Sequence, residues 1–247
     1  SGLQAYPTLG SVPMATHIQI VEVSPRDGLQ ADPADLTTDQ KVALIERLIA
    51  GGHTRIEAAS FVDPKAVPKM ADGDAVMAKV PRIDGVSYRA LAFNTRGVER
   101  AVAAEIDEVT GVVVASETFS QRNQNASIAE SIERWAAVGY AARAAGTKTA
   151  VRSAASSGCP FEGRVDPALV VDIARQLAAT RPDEIGLADT IGVAVPSKVA
   201  SLVEGVSQVV DAIPLRGHFH NTRNTALANI VAAIDAGVRI FDSSLGG

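Results

Sequence analysis

Short β-rich runs alternate with amphipathic helical patterns along the whole chain, and this alternation constrains the fold more than any other feature. Each strand–helix unit is roughly 20–40 residues long, the size of a βαβ unit, which predicts a parallel sheet. The seventh of eight predicted strands ends at His218 and His220. The other seven cover residues 18–23, 54–58, 87–92, 108–114, 147–152, 183–187 and 238–242. Eight such units close a TIM barrel, so we predict an α/β fold of the (β/α)8 class. A doubly wound open sheet is the competing fold, but no G-x-G-x-x-G or P-loop follows the first strand.

The chain is predicted to form one domain. It has 247 residues, of which 47% are hydrophobic, enough for a single large core without a composition break or a long linker. We place the barrel in residues 14–247. Residues 1–13 are rich in Gly, Pro and Ser and lack the charged-then-apolar order of a secretory signal. They are either a leader before a native start at Met14 or a disordered native arm.

Composition argues against several classes of partner. The net charge is −5 with no long basic run, which disfavours nucleic acid or an anionic membrane surface as the main partner. No apolar run approaches the roughly 20 residues of a membrane span. The single cysteine cannot form an internal disulfide, which fits a reducing, cytoplasmic location. We also expect a homo-oligomer, in the form of a dimer.

Three helix starts are marked by capping residues. Thr37 with Gln40, and Ser127 with Glu130, have the pattern of a capping box. Asp166 precedes a proline at the first helical position. Apolar side chains at helical spacing predict the buried helix faces. These side chains are Val42, Ile45, Leu48 and Ile49; Ile132, Trp135 and Val138; Leu169, Ile173 and Leu177; Val199, Leu202, Val203 and Val206; and Leu227, Ile230, Val231 and Ile234.

Two histidines end the seventh predicted strand. Strand alternation sends His218 and His220 to the same side, which at the exit of a barrel strand is the inside of the mouth. Two imidazoles on a rigid element form one edge of a metal site. The alternative interpretation is a strand with two incidental histidines, one of them buried and hydrogen-bonded.

Polar residues also follow the first six predicted strands. This placement matters because the active sites of TIM barrels lie at the C-terminal ends of the strands. Any one of these residues alone is more often a cap or a solvated loop residue, but together they predict a site. They are residues 24–30, residues 57–62, Asn94, Ser116 with Glu117, residues 153–157, and Asp189 with Thr190.

Asp27 is the predicted third metal ligand. Its anionic oxygen would complement two neutral imidazoles, although a turn or N-cap aspartate before Gly28 is the alternative. Such a site suits Mg²⁺ or Mn²⁺ with an oxygen-rich substrate, and imidazoles would also accept Zn²⁺, Co²⁺ or Fe²⁺. It leaves coordination positions open, so that a substrate hydroxyl and a neighbouring oxygen could chelate the metal.

Arg26 and Glu57 are predicted to pair beside these ligands. Arg26 lies on the opposite pleat from Asp27 unless the turn re-aims it, and its donor fork would suit a developing enolate oxygen. Glu57 points inward at the end of the second strand, where burial without a partner is costly. We therefore pair the two side chains, with a plain structural ion pair as the alternative.

Four segments resemble the hydroxymethylglutaryl-CoA lyase family. They are Val-Glu-Val-Ser-Pro-Arg-Asp-Gly-Leu-Gln at residues 21–30, Ile-Glu-Ala-Ala-Ser-Phe-Val-Asp-Pro-Lys at 56–65, Ala-Asp-Thr-Ile-Gly at 188–192 and His-Phe-His at 218–220. The resemblance extends from about Ile18 to the last residue and includes Ser-Gly-Cys-Pro-Phe-Glu-Gly at 157–163. It implies a metal-dependent TIM barrel of the group that includes isopropylmalate and homocitrate synthases.

The resemblance also implies roles for individual residues. Asp27, His218 and His220 correspond to metal ligands. Arg26 matches the arginine that polarises the thioester carbonyl. Glu57 and Asp189 match acids of the family's pocket, and either Asp189 or His218 is expected to help move the hydroxyl proton. The expected substrate contacts are Arg26, Gln30, Ser60, Phe61, Asn94 and Thr190.

The chain departs from the family at its C-terminal end. The family's catalytic cysteine lies on a glycine-rich loop just after the eighth strand and is followed by an asparagine ligand, whereas this chain stops at Gly247, at or just before that loop. Cys159 lies in a different context and is expected to be a small buried or loop thiol rather than a nucleophile. A barrel without its last helix leaves apolar surface uncovered, so we expect the C-terminal helix and lid segment to be missing.

The implied reaction is retro-Claisen cleavage of 3-hydroxy-3-methylglutaryl-CoA, or a close 3-hydroxyacyl-CoA, to acetoacetate and acetyl-CoA, as in leucine degradation. Residues 31–33 and 221–224 differ from common family patterns, which leaves the acyl group and the CoA carrier less defined than the metal chemistry. The alternatives are another aldolase or Claisen enzyme on the same barrel, and a catalytically silent, ligand-binding barrel.

Overall fold

Eight parallel strands close into a barrel in chain order, from β1 to β8. The structure is a computed structural model that describes residues 17–246, so the expectations for residues 1–13 and Met14 lie outside the described part. The barrel closes where Gln19 of β1 pairs with Ile240 of β8. The (β/α)8 prediction is confirmed, and the alternative prediction of a doubly wound open sheet is wrong. The strands are β1 Gln19–Glu22, β2 Arg55–Ser60, β3 Ser87–Leu91, β4 Glu108–Val114, β5 Lys148–Ala154, β6 Glu184–Asp189, β7 Leu215–Phe219 and β8 Ile240–Ser243.

Helices fill the connections between the strands and form the outer layer. Between residues 17 and 246, no helix is long and apolar enough to cross a membrane. A π-helical turn, Ser24–Gly28, follows β1, and a 3₁₀ turn, Pro68–Met70, precedes α3. The helices are α1 Leu29–Ala31, α2 Thr38–Ala50, α3 Gly73–Met77, α4 Thr95–Ala103, α5 Glu117–Gln124, α6 Ile128–Ala144, α7 Pro167–Ala179, α8 Pro196–Ser207 and α9 Ala226–Asp235.

The predicted helix starts are confirmed. Thr37 and Ser127 both form complete capping boxes, each bonding to the backbone at N3 while the N3 side chain bonds back. The carboxylate of Asp166 accepts a hydrogen bond from the amide of Ala168 at 2.9 Å. Each cap satisfies a backbone donor that the first turn of a helix leaves without a partner.

Some sequence predictions of boundaries and burial were wrong. β5 and β6 each run two residues beyond the predicted end, and α4 and α5 were not predicted. Three apolar side chains assigned to buried faces are exposed, Leu169 by 38%, Leu227 by 78% and Val231 by 58%. Leu227 and Val231 are four residues apart and therefore share a face of α9, which differs from the face that packs on α8 and β7.

The N-terminal part of the barrel interior is filled by charged side chains, which we call the axial ion cluster: Arg55, Arg89, Glu108, Glu184 and Arg216. Nη1 of Arg55 lies 2.8 Å from Glu184, and Nη2 of Arg89 lies 2.5 Å from Glu108. Nε of Arg216 lies 3.2 Å from Glu184. Buried charges are tolerated only when they are paired, so the strands that carry these side chains must stay in register for the pairs to form. The cluster therefore supports the barrel beneath its mouth.

Candidate metal centre

The turn after β1 brings Arg26 and Asp27 to the same place at the barrel mouth. The amides of both residues donate to the carbonyl of Val23, at 3.1 and 2.7 Å, within the π-helical turn. This turn ends the strand alternation that would have separated the two side chains. Nη1 of Arg26 therefore donates to Oδ1 of Asp27 at 2.7 Å, and both residues line one cavity.

Asp27 meets both histidines at this mouth. His218 is the penultimate residue of β7 and His220 lies one residue past its end, with ring centroids 5.0 Å apart. Nε2 of His218 lies 3.8 Å from Oδ2 of Asp27. One ligand atom from each of the three side chains lies within 4.8 Å of the other two. Atoms at these separations can be bridged by one ion with bonds of about 2.0–2.2 Å after small side-chain adjustments. The donor set therefore fits a divalent cation.

The surroundings keep Asp27 and His220 in the protonation states that a metal requires. Burial raises the pKa of Asp27, but the opposite effect of Arg26, Arg152 and His218 is larger in sum and brings the pKa down to about 2. Burial also lowers the pKa of His220 below its ordinary value, and repulsion from His218 adds to this effect. Asp27 is therefore an anion and His220 a neutral imidazole at neutral pH, as metal ligands must be.

Glu57 pairs with Arg26, as predicted. The side chain of Glu57 is buried, and its Oε1 contacts both Nε and Nη2 of Arg26. Burial opposes ionisation of Glu57, but Arg26 and the neighbouring arginines lower its pKa. Glu57 does not line the cavity; it lies behind Arg26 and fixes the orientation of the guanidinium.

Arg152 and Asp242 are part of this site but were not predicted as site residues. Oδ2 of Asp242 lies 2.8 Å from Nδ1 of His218. Nη1 of Arg152 lies 3.0 Å from the same nitrogen and 4.0 Å from Oδ2 of Asp27. Each was the last residue of a predicted strand. A charged residue inside a buried strand requires a partner, and this signal could have identified both.

The cavity above these residues has a volume of about 910 Å³. Two of its lining residues also serve the fold. The side chain of Asn94 caps α4 by accepting from the amide of Gly97 at 2.8 Å. The hydroxyl of Thr190 accepts from the amide of Ala155 at 2.9 Å. The predicted site residues that line the cavity are Arg26, Asp27, Gln30, Asn94, Thr190, His218 and His220.

Besides Glu57, three predicted site residues do not line the cavity. Ser60 and Phe61 are buried away from the cavity, and Phe61 packs in the core with Arg100 stacked 5.1 Å over its ring. A register shift between Glu57 and Ala59 interrupts the alternation of β2, so alternation counted from Glu57 does not give the face of the residues that follow. The carboxylate of Asp189 accepts the amides of Val193 and Ala194 at 3.0 and 2.9 Å. Asp189 therefore closes the loop after β6 and does not face the cavity.

Cys159 is a buried free thiol, as expected. Its sulfur lies 3.0 Å from the hydroxyl of Ser116 and accepts hydrogen bonds from the amides of Phe161 and Glu162. These contacts tie the loop after β5 to the N-terminal end of α5. The thiol is engaged in these loop contacts and does not line the cavity.

Comparison with known proteins gives one consistent family. Residues 17–247 match the family model described as HMGL-like. The mitochondrial hydroxymethylglutaryl-CoA lyase of Mus musculus is 40% identical over 247 residues, which are 100% of this chain and 76% of that protein.

Solved structures agree with this match. The HMG-CoA lyase of Brucella melitensis superposes with a TM-score of 0.91 at 43% identity, covering 94% of this chain and 82% of that one. An HMG-CoA lyase of Acinetobacter baumannii, in complex with coenzyme A and 3-methylmalate, superposes with a TM-score of 0.89 at 37% identity, covering 94% of this chain and 75% of that one.

Proposed function

This chain belongs to the HMGL-like family, and on that basis we propose that it cleaves 3-hydroxy-3-methylglutaryl-CoA to acetoacetate and acetyl-CoA. The observation that carries the proposal is the meeting of Asp27, His218 and His220 within 4.8 Å at the C-terminal mouth of the barrel. Sites of TIM-barrel enzymes lie at this face. A carbon–carbon lyase of this type needs a divalent cation there, and these three side chains would hold it.

Mg²⁺ or Mn²⁺ is the proposed metal, with Zn²⁺ or Co²⁺ as alternatives. One carboxylate and two imidazoles occupy only part of an octahedral shell and leave room for two substrate oxygens. Bound there, the cation would supply Lewis acidity, lowering the pKa of the tertiary hydroxyl and polarising the neighbouring carbonyl.

Arg26 is the proposed stabiliser of the charge that develops on the thioester oxygen. Its guanidinium lies at the cavity wall and is already oriented by Glu57 and Asp27, so little reorganisation is needed during the reaction. Burial lowers the pKa of Arg26, but the carboxylates of Glu57 and Asp27 raise it by a larger amount. The net effect is a raised pKa, so the side chain stays charged. The tertiary hydroxyl loses its proton to solvent and becomes the ketone carbonyl as the carbinol–α-carbon bond breaks. The electron pair of that bond moves onto the thioester, where this charge faces it, and the α-carbon then takes up a proton from water to give acetyl-CoA.

His218 is assigned to the metal and not to proton transfer. Its Nδ1 contacts Asp242 and its Nε2 faces Asp27, so ligation through Nε2 leaves no nitrogen for the hydroxyl proton. This narrows the sequence prediction, which gave His218 both roles. Asp189, which holds its own loop, is likewise not retained as the proton acceptor.

Acetoacetate release tests the proposed function. The protein expressed from its complete gene is incubated with hydroxymethylglutaryl-CoA and Mn²⁺, with Mg²⁺, and with a chelator. We expect acetoacetate and acetyl-CoA in equal amounts with metal and none with chelator. Metal binding without cleavage would indicate a silent barrel, and cleavage of a 2-oxoacid alone would indicate an aldolase.

The cytoplasmic location and the homodimer remain predictions. Sedimentation velocity on the purified protein measures the mass in solution, and a monomer at all concentrations would contradict the dimer. Cell fractionation tests the location independently of the activity.

A further inference from the structure

Asp242 connects the metal centre to the axial ion cluster. Its side chain, on β8, is only 3% exposed. Oδ1 lies 3.3 Å from Nη1 of Arg216, and Oδ2 lies 2.8 Å from Nδ1 of His218. An ion pair at one oxygen and a hydrogen bond at the other restrict the orientation of this buried carboxylate, so it can orient the imidazole in turn.

The contact with His218 decides which ring nitrogen carries the proton. An ionised carboxylate can only accept hydrogen bonds. A separation of 2.8 Å from Nδ1 is therefore favourable only if that nitrogen is protonated. In the neutral ring the remaining lone pair then lies on Nε2, the atom that faces Asp27 at 3.8 Å. The carboxylate thus prepares the ring to bind a cation on the side of the cavity.

Arg152 would impose the opposite arrangement. Its Nη1 lies 3.0 Å from the same Nδ1, and a guanidinium can only donate. If Arg152 were the partner, Nδ1 would carry the lone pair and Nε2 the proton, which would block metal binding at the cavity. Nη1 also lies 3.4 Å from Oδ2 of Asp242, so this carboxylate can accept hydrogen bonds from both the protonated Nδ1 and Arg152.

We propose that Asp242 is a positioning residue for the metal centre, which keeps the proton on Nδ1 of His218 and presents Nε2 to the cation against the competing donor Arg152. The proposal rests on the proposed function in one respect, the assignment of His218 as a metal ligand. Carboxylates that hold metal-binding histidines in this way raise ligand basicity, and their loss typically reduces metal affinity about 10- to 100-fold.

The test compares Asp242→Ala and Asp242→Asn with Glu184→Gln as a matched control. Glu184 is a buried carboxylate that also pairs with Arg216, and the contacts of its side chain are with Arg55, Arg89 and Arg216 rather than with His218. Circular dichroism and thermal unfolding show whether each variant is folded. Mn²⁺ affinity is measured by titration calorimetry, and the tautomer of His218 by ¹⁵N–¹H correlation spectra of the metal-free protein at pH 8.

We expect the wild type and Glu184→Gln to show the Nδ1–H tautomer and the same Mn²⁺ affinity within about threefold. Asp242→Ala should shift His218 to the Nε2–H tautomer and bind Mn²⁺ about 10- to 100-fold more weakly. Asp242→Asn retains an acceptor oxygen and should give a smaller loss. If Asp242→Ala does not fold, the comparison of Asp242→Asn with Glu184→Gln carries the test.

Two results would overturn the proposal. One is an Nε2–H tautomer in the wild type, and the other is an equal loss of Mn²⁺ affinity in the Asp242 and Glu184 variants, which would indicate only a structural role. The tautomer is measured without metal. A wild type that shows Nδ1–H but binds no Mn²⁺ would contradict the proposed metal site while leaving the orientation by Asp242 intact.

Discussion

Asp27 is the residue on which the proposed metal centre depends, because two arginines and one imidazole surround its carboxylate. Arg26 lies 2.7 Å away, Nε2 of His218 lies 3.8 Å away and Arg152 lies 4.0 Å away. The carboxylate therefore balances local positive charge and offers an oxygen to the cavity. Without it, a divalent cation would have to enter beside two arginines with only two neutral ligands.

Removing a ligand should abolish metal-dependent cleavage without unfolding the barrel. For Asp27→Ala and His218→Ala we expect the cleavage rate to fall by roughly 10³-fold or more. A Lewis acid lowers the activation barrier by several kcal/mol, and each 1.36 kcal/mol of barrier changes the rate about tenfold. Acetoacetate release and Mn²⁺ calorimetry measure the effect. Asp63→Ala removes another carboxylate of the cavity wall and should keep both functions. Retained activity in Asp27→Ala or His218→Ala would contradict the ligand assignment.

Arg26→Lys separates charge from geometry. Lysine keeps the positive charge but lacks the planar set of N–H donors with which the guanidinium contacts Glu57 and Asp27 at the same time. We expect kcat to fall by roughly 10²-fold at saturating Mn²⁺, the typical effect of losing one well-placed donor to a developing oxyanion. If Mn²⁺ affinity falls while kcat at saturating metal is unchanged, Arg26 serves only to hold Asp27.

At the scale of elements, small residues set how closely helices approach the barrel. Trp135 of α6 is buried, as predicted, and its indole nitrogen donates to the hydroxyl of Thr180 at 3.0 Å. The indole lies directly on Gly111 of β4, where a Cβ would be 2.3 Å from Cε3 of the ring. The absence of a side chain at Gly111 is what lets α6 cover β4.

Gly111→Ala should therefore destabilise the barrel by about 1–3 kcal/mol, the usual cost of overpacking a core. Gly139→Ala on α6 is the matched control. There a Cβ would be 3.1 Å from the flexible end of Arg143 and 3.5 Å from the indole, and alanine favours a helix by roughly 0.5–1 kcal/mol over glycine. Thermal and urea unfolding measure both. A Gly111→Ala variant as stable as the wild type would show that α6 can shift without cost.

At the scale of the whole molecule, the axial ion cluster and the metal centre form one connected system. Arg216 reaches Glu184 below and Asp242 above, and Asp242 reaches His218. Burial opposes ionisation of Glu184 and Asp242, but the arginines lower the pKa of both carboxyls. Arg216 therefore links the carboxylates at the base of the barrel to Asp242, and of these carboxylates Asp242 is the one that contacts His218.

This connection predicts acid sensitivity. A carboxyl whose pKa is lower in the folded than in the unfolded chain stabilises the fold above the unfolded value, near pH 4, and that stability is lost as the pH falls toward the folded value. The free energy of unfolding of the metal-free protein should therefore drop steeply from pH 5 to pH 3. Glu184→Gln should be less stable at pH 7, by about 3–5 kcal/mol, but should lose less on acidification. Urea unfolding at each pH measures this, and equal slopes for the two proteins would contradict it.

Sequence alone predicted the barrel and the three proposed ligands of its metal centre. The number of strand–helix units predicts a closed parallel barrel, and parallel strands end at one face, so the residues after β1 and the two histidines of the β7 end were expected together. The choice of Asp27 as third ligand rested on the resemblance to the lyase family, because the pattern alone also fits a turn or N-cap aspartate. The helix caps were also predicted, because capping depends on residues within one turn. The barrel and the caps follow from local patterns and one topological rule.

Only the tertiary structure decided which side chains face the cavity. The π-helical turn re-aims Arg26, and a register shift in β2 precedes Ser60 and Phe61, which are buried away from the cavity. The contact of Asp242 with His218 joins β8 to β7, and Arg152 approaches the same ring from β5. Alternation along a strand gives a side, but turns, bulges and the curvature of the closed sheet set the direction and the partner of each side chain, and these depend on strands far apart in the chain.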